Sequence, residues 1–241
     1  MNKINNYRGD VEEVIKVLKD RIPNKVSSIY LTGSRLYGIN TVLSDIDLVV
    51  YVLPTKEDII SNNLLSKEVN INMGMVESIK VRDVRLVLKE LLKPTLNSLH
   101  LLTEPIYGLP AMKRSIVEES FEIGKKNLFL SILAYAGKAV NSNEAKDKIR
   151  GMLFYTIYSE FDSKGIHHGF FDSYEYVRKS SLLKIVRNDN IQELIEPISK
   201  FSKDIDDSFK EEVKKTNGGQ NYLIPEVVEY VSNLLKDEIV F

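Results

Sequence analysis

Cysteine is absent from the 241 residues. That excludes disulfides, thiolate zinc sites and a cysteine nucleophile. A basic excess is also absent: 33 Lys and Arg stand against 34 Asp and Glu, for a net charge of -1. Dedicated duplex-binding proteins carry such an excess because neutralising phosphates supplies much of their affinity. Any nucleic acid this chain meets is therefore expected on a local patch. No apolar run approaches the roughly 20 residues that span a bilayer. The opening MNKINNYRGD has no apolar core of the kind a signal peptide carries. Nor does any domain-length stretch pair low hydrophobicity with high charge. These absences predict a cytoplasmic protein without a membrane partner. What remains is ordinary globular composition, 43% hydrophobic and 28% charged, in a chain long enough for one large domain or two small ones.

Periodicity divides the chain into a mixed α/β part and a helical part. Residues 10 to 21 read as a helix, with Asp10 as its cap and Val11, Val14, Ile15 and Leu18 on one face. VSSIYLT, 26 to 32, reads as a strand that ends at Gly33-Ser34, and IDLVVYV, 46 to 52, as the most strand-like segment of all. Pro54 ends it, and 55 to 65 reads as a helix. A further strand lies within 69 to 81, where Asn72 and Gly74 allow a hairpin or a bulge. Asp83 is placed to cap a helix through Lys93, and Pro94 opens a second helical piece, TLNSLHLL. After Pro110 no period-2 strand is expected. NLFLSILAYAGKAV, DKIRGMLFYTIYSEF, DSYEYVRKSSLLKIV, IQELIEPISKF and PEVVEYVSNLL all carry helical spacing.

The segment LTGSRLYGINTVLSDIDLVVYV, 31 to 52, carries the chemistry. Side chains alternate along a strand, so Asp45 and Asp47 are predicted to share a face, about 6–7 Å apart along the backbone, while Ile46, Leu48 and Val50 turn into a core. Two carboxylates this close repel each other, and a divalent cation removes the conflict. Mg²⁺ takes a couple of carboxylates and completes its shell with water and phosphate oxygens. The turn at Gly33-Ser34 lets backbone approach an anion, the Ser34 hydroxyl adds a donor, and Arg35 is placed to neutralise developing charge. A phosphate cradle beside a metal-binding carboxylate pair is most of what phosphoryl transfer requires.

The pattern Gly33-Ser34-Arg35, Gly38, then Ser44-Asp45-Ile46-Asp47-Leu48 closely resembles the DNA polymerase β-like nucleotidyltransferase superfamily. It is most similar to a branch of bacterial and phage members that read Gly-Ser-x-x-Tyr-Gly, then Ser-Asp-x-Asp; Tyr37-Gly38 fits that form. Val81-Arg82-Asp83-Val84-Arg85 through Lys93-Pro94 and Leu96-Asn97, and the late Leu223-Ile224-Pro225-Glu226, resemble the branch as well. The resemblance implies an α+β fold: a small mixed β-sheet, palm-like catalytic domain over 1–110, then an all-helical substrate-binding domain over 111–241. It implies transfer of a nucleoside monophosphate from an NTP with two metal ions, Mg²⁺ or Mn²⁺. In such a site Asp45 and Asp47 hold metal, and Gly33, Ser34 and Arg35 hold the triphosphate. The superfamily's third carboxylate, the general base and a further metal ligand, falls at or near Ser78, where the neighbouring acid is Glu77. Facing Asp45 and Asp47 with Glu77 requires a bulge; without it, either Asp83 substitutes or the enzyme is slow or inactive. Some relatives are encoded beside RNA ligases, which implies RNA repair and an RNA or tRNA acceptor.

Other features have two readings. Lys80 and Arg82 either reach a triphosphate or discourage edge-to-edge pairing. Lys125, Lys126, Lys138, Lys146, Lys148 and Arg150 form either a basic patch or a solvated helix side. His167-His168, in GIHHG, read as an exposed loop, and the aromatic cluster from Phe154 to Tyr176 reads as core. Tyr37 either stacks on a base or wedges the turn. Two rival functions stay open: an adenylyltransferase acting on a small molecule or protein, and a degenerate member that binds nucleotide without turnover.

Overall fold

A computed structural model describes residues 8–36, 40, 44–109, 111–142, 147, 151 and 223–236. Tyr37, Gly38, His167-His168 and the helical segments expected between 152 and 222 lie outside the described residues. The chain divides into two compact units. One comprises Met1–Glu90, Leu99–Val117 and Leu223–Phe241, and the other Leu91–Ser98 and Glu118–Tyr222.

The first unit is built on a five-stranded mixed sheet in the order β3-β4-β2-β1-β5, which gives the expected α+β fold. Strand β1 (Val26–Leu31) runs antiparallel to β2 (Leu48–Val52), with Tyr30 opposite Val49 and Leu31 opposite Leu48. Strands β3 (Ser66–Met73) and β4 (Val76–Asp83) form a hairpin, and β4 runs parallel to β2 with Leu48 beside Ile79. Strand β5 (Tyr107–Gly108) pairs with β1. β2 lies at the centre and is buried at every residue. Its continuous LVVYV run is what burial on both faces demands.

Helix α1 (Arg8–Arg21) covers one sheet face. Its Val11, Val14 and Leu18 pack in one cluster with Ile29, Leu48, Val50, Val52, Ile79 and Val81. The helix starts two residues before the expected cap, so Asp10 lies inside it; apolar spacing dictates which face is buried, not where the first turn begins.

The 69 to 81 stretch resolves into the β3–β4 hairpin. Its reversal uses two positive-φ residues, Asn72 (φ 52°) and Gly74 (φ 55°), the residue types that tolerate that region. Helix α3 (Lys56–Ile60) is shorter than the expected 55 to 65. A reciprocal capping box holds its start: Asp58 N–H donates to Thr55 Oγ1 at 3.1 Å, and Thr55 N–H donates to Asp58 Oδ2 at 2.9 Å. These bonds hold the Asp58 carboxyl well below the usual carboxylate range. None of its residues is buried, and it ends where Asn62 adopts φ 52°.

Helix α4 (Leu86–Leu92) and a 3-10 turn (Leu96–Leu102) follow the hairpin. Helix α5 (Arg114–Ile123) falls where the sequence shows only a change of character. Helix α6 (Lys125–Asn141) matches its predicted segment. Within the second unit, Gly124 passes so close to Pro94 that a Cβ would lie 2.2 Å from the ring, and Leu96 N–H donates to Ser131 Oγ at 3.1 Å. The helix Pro225–Lys236 belongs to the first unit and buries Val227 and Val231. Among the described residues no helix is long and apolar enough to cross a membrane.

Leu18 is fully buried in the α1 cluster, whereas Ile60 is 86% exposed. Leu18→Ala is expected to lower unfolding stability by about 2–5 kcal/mol, and Ile60→Ala to change it by less than about 0.5 kcal/mol. Urea unfolding of the two variants beside the parent checks both.

Candidate active site

The pairing of β1 with β2 brings the two halves of the motif together. Past Leu31 the antiparallel ladder continues for one bond, from Thr32 N–H to the Asp47 carbonyl at 2.9 Å. Gly33 follows with φ 63° and opens the four-residue helix α2 (Gly33–Leu36). A Cβ at Gly33 would lie 1.8 Å from Asp47 Oδ2 and 2.5 Å from Asp47 Cγ. Only a residue without a side chain lets the Asp47 carboxylate rest against this backbone, and the positive φ selects glycine again.

Ser34 is 6% exposed, and its Oγ finds no hydrogen-bond partner among the described residues. A buried hydroxyl left this way costs about 1–3 kcal/mol. Buried polar atoms are nearly always satisfied; Ser27 Oγ shares this state, and the Ser34 hydroxyl is the one carried by the residue next to the Gly33–Asp47 contact.

The aspartates alternate as expected. Asp45 is exposed, Ile46 is buried in the α1 cluster, Asp47 is half-buried, and Leu48 returns to the cluster. Regular strand begins only at Leu48; the preceding residues are held extended by other bonds. Ile46 N–H donates to the Met75 carbonyl at 2.8 Å. Arg35 Nε donates to the Asp45 carbonyl at 2.9 Å, and its NH2 donates to the Ser44 carbonyl. The Arg35 guanidinium therefore clamps the backbone that carries both aspartates.

The third-acid position is less regular. Val76 and Ile79 both join the α1 cluster, although they are three apart, so strict alternation breaks at Glu77 and Ser78. Glu77 is exposed. Ser78 is half-buried, and its hydroxyl donates to Glu68 Oε1 on β3 at 2.6 Å. Among the described residues no three His, Asp or Glu side chains are gathered closely enough to hold a metal. Asp83, the substitute, is fully buried at the far end of β4 and committed to Arg85. It accepts Arg85 N–H at 2.8 Å, Nε at 2.9 Å and NH2 at 2.6 Å.

A second polar group lies toward that far end of the sheet. Tyr51 and His100 are almost fully buried. The Tyr51 hydroxyl donates to Glu90 Oε2 at 2.7 Å and lies 2.9 Å from His100 Nε2. Arg82 pairs with the other Glu90 oxygen. The His100 ring stacks on Tyr51 at 5.8 Å and meets Tyr30 edge-on at 5.4 Å. Arg82 thus pairs with a half-buried carboxylate, the role that neither sequence reading of this residue included. Tyr51, Glu90 and His100 were not singled out from sequence, since each occupies an ordinary position in its periodic pattern. Lys80 remains exposed. Lys125 pairs with Glu122 at 2.8 Å, and Lys146, Lys148 and Arg150 lie outside the described residues.

Two predictions arise here. Gly33→Ala introduces both a clash with Asp47 and a strained φ; a loss of about 1–3 kcal/mol is expected in urea unfolding. Burial raises the Glu90 carboxyl above its ordinary 4.5, with Arg82 and Tyr51 acting in the opposite direction. The folded state therefore holds this proton to higher pH than the unfolded chain. Glu90's contribution is fully present below pH 4.5 and is lost as pH rises through the folded value. Glu90→Gln is expected to flatten that part of the stability–pH curve, measured by urea midpoints at a series of pH values.

Comparison with known proteins bears on the same segment. No curated protein matches the chain. Residues 11–121, which contain Gly33, Ser34, Asp45, Asp47 and the whole of β1 to β5, match the family model of the nucleotidyltransferase domain.

Proposed function

We propose that the protein is a metal-dependent nucleotidyltransferase that moves a nucleoside monophosphate from an NTP to a hydroxyl acceptor. The observation that carries this reading is the Gly33–Asp47 contact, with the unsatisfied Ser34 hydroxyl adjoining it. The domain match over residues 11–121 supports the same chemistry.

The donor set fits a divalent ion. Asp45 and Asp47 supply hard carboxylate oxygens from one side of an extended segment, the type Mg²⁺ or Mn²⁺ prefers. When bound, such an ion neutralises phosphate charge and polarises the α-phosphorus for attack. The chain's own residues do the rest. Ser34 donates its hydroxyl hydrogen to a phosphate oxygen, and Gly33 lets the triphosphate approach the backbone. Arg35 keeps Ser44 and Asp45 in place, so the aspartates meet the triphosphate without rearrangement. The acceptor oxygen attacks the α-phosphorus, its bond to the bridging oxygen breaks, and pyrophosphate leaves. We assign acceptor selection to the helical second half, with an RNA hydroxyl as acceptor, on the resemblance of 31 to 52 to members linked with RNA repair.

The test is label transfer from each of the four NTPs, with Mg²⁺ or Mn²⁺, to tRNA, short RNA oligomers or the protein itself. Transfer by the parent is expected, with a loss of at least about 10²-fold in an Asp45→Asn/Asp47→Asn variant and complete loss with chelator. Label on a small molecule or on protein instead of RNA replaces the acceptor assignment. No transfer and no metal-dependent NTP binding overturns the reading.

A further inference from the structure

We propose that Glu68, on β3, is the site's proton acceptor and that it acts through the Ser78 hydroxyl. The inference rests on the transferase reading above and adds the group that activates the attacking hydroxyl.

Three observations lead to it. First, the registers align these residues across three strands. Leu48 pairs with Ile79 in the parallel β2–β4 ladder, and Ile46 N–H donates to the Met75 carbonyl, so Asp47 lies opposite the Glu77–Ser78 step on strands about 4.8 Å apart. Ser78 in turn pairs with Asn70 of β3, and Glu68, two residues along, shares the Asn70 face. Second, the hydrogen bond has a direction. Ser78 Oγ donates its single proton to Glu68 Oε1 at 2.6 Å, a short charge-assisted bond. The serine lone pairs are left to accept. Third, Asp83 is locked to Arg85, and among the described residues neither Glu77 nor Glu68 gathers with Asp45 and Asp47 into a group that could hold a metal, so Glu68 is assigned its part through the Ser78 hydroxyl and not as a direct ligand.

The proton balance follows. The acceptor hydroxyl gives its hydrogen to Ser78 Oγ as its oxygen bonds to the α-phosphorus. Ser78 Oγ passes its own hydrogen to Glu68 Oε1. The bond to the bridging oxygen breaks with its electron pair, and pyrophosphate departs. Glu68 then releases the proton to solvent, to which it is exposed. Ser78 touches the reacting hydroxyl; Glu68 orients the serine and takes the charge.

The experiment measures kcat and KM for NTP in the full chain for the parent and five variants: Asp45→Asn, Glu77→Gln, Ser78→Ala, Glu68→Gln, and Glu68→Gln/Ser78→Asp. Glu68→Gln and Ser78→Ala are expected to lower kcat by about 10²–10⁴-fold with the KM for NTP little changed. The double variant Glu68→Gln/Ser78→Asp is expected to recover most of kcat, since it returns a carboxylate to the strand beside Asp47. A residue that only braced the hairpin would show no such rescue. Circular dichroism and NTP binding confirm that each variant is folded and loaded. If Glu68→Gln matches the parent while Glu77→Gln is impaired, the inference fails and the direct acid is Glu77, with the transferase reading intact. If the parent itself transfers nothing and Asp45→Asn leaves NTP binding unchanged, both readings fall.

Discussion

The carboxylate of Asp47 lies directly against the Cα of Gly33, and the rest of the candidate site depends on that contact. It exists because β1 and β2 pair antiparallel, with Leu31 opposite Leu48 and Thr32 N–H bonded to the Asp47 carbonyl. This pairing brings residue 33 beside residue 47 although ten or more residues separate them in the chain. A side chain at 33 would overlap the carboxylate at 1.8 Å. Glycine is thus required twice, by space and by the positive φ of 63°. Once Asp47 is seated, alternation puts Asp45 on the same side and Ile46 in the core. Arg35 then secures the backbone at Ser44 and Asp45 from the opposite arm of the loop.

The two ends of the sheet treat polar groups differently. Toward the end of β2, Glu90 is half-buried and paired with Arg82 and Tyr51, and Asp83 is buried and paired with Arg85. Breaking a buried pair leaves an uncompensated charge, so these groups act as internal braces. At the start of β2, Asp45 is exposed and the Ser34 hydroxyl is buried without a partner among the described residues. The Ser27 hydroxyl, toward the far end of β1, is likewise buried without a partner among the described residues. What sets the Gly33–Asp47 end apart is the exposed Asp45 and the seat that Gly33 gives the Asp47 carboxylate.

Much of this was legible in the sequence. LVVYV announced a strand through its run of β-branched and aromatic residues, and its place at the centre of the sheet accounts for the lack of polar alternation. Val11, Val14 and Leu18 declared the buried face of α1, and the 3.6-residue spacing of NLFLSILAYAGKAV and PEVVEYVSNLL declared two helices. The aspartate pair was legible for the same reason: a period of two in an extended segment has one geometric meaning. Less was legible where local pattern is weak. β5 has two residues and exists only by pairing with β1. α5 begins in a charged stretch, and the irregularity at Glu77 and Ser78 leaves no compositional trace. Glu68 sits in SKEVNINM as an ordinary solvent-side residue of an alternating strand, and its tie to Ser78 depends on a hairpin register that the sequence left open.

By itself, then, the sequence determined which residues form the carboxylate pair, which side of the chain they take, and that strands and helices mix in the part of the chain that holds them. These are local properties, dictated by side-chain chemistry and by the periods of helix and strand. The tertiary structure alone decided which strands become neighbours and in what register. It set Gly33 against Asp47, committed Arg82 to Glu90 and Asp83 to Arg85, and placed Ser78 between Asp47 and the Glu68 strand. Those outcomes depend on hydrogen-bonded pairing between distant segments, and a shift of one residue in any ladder turns every side chain to the other face.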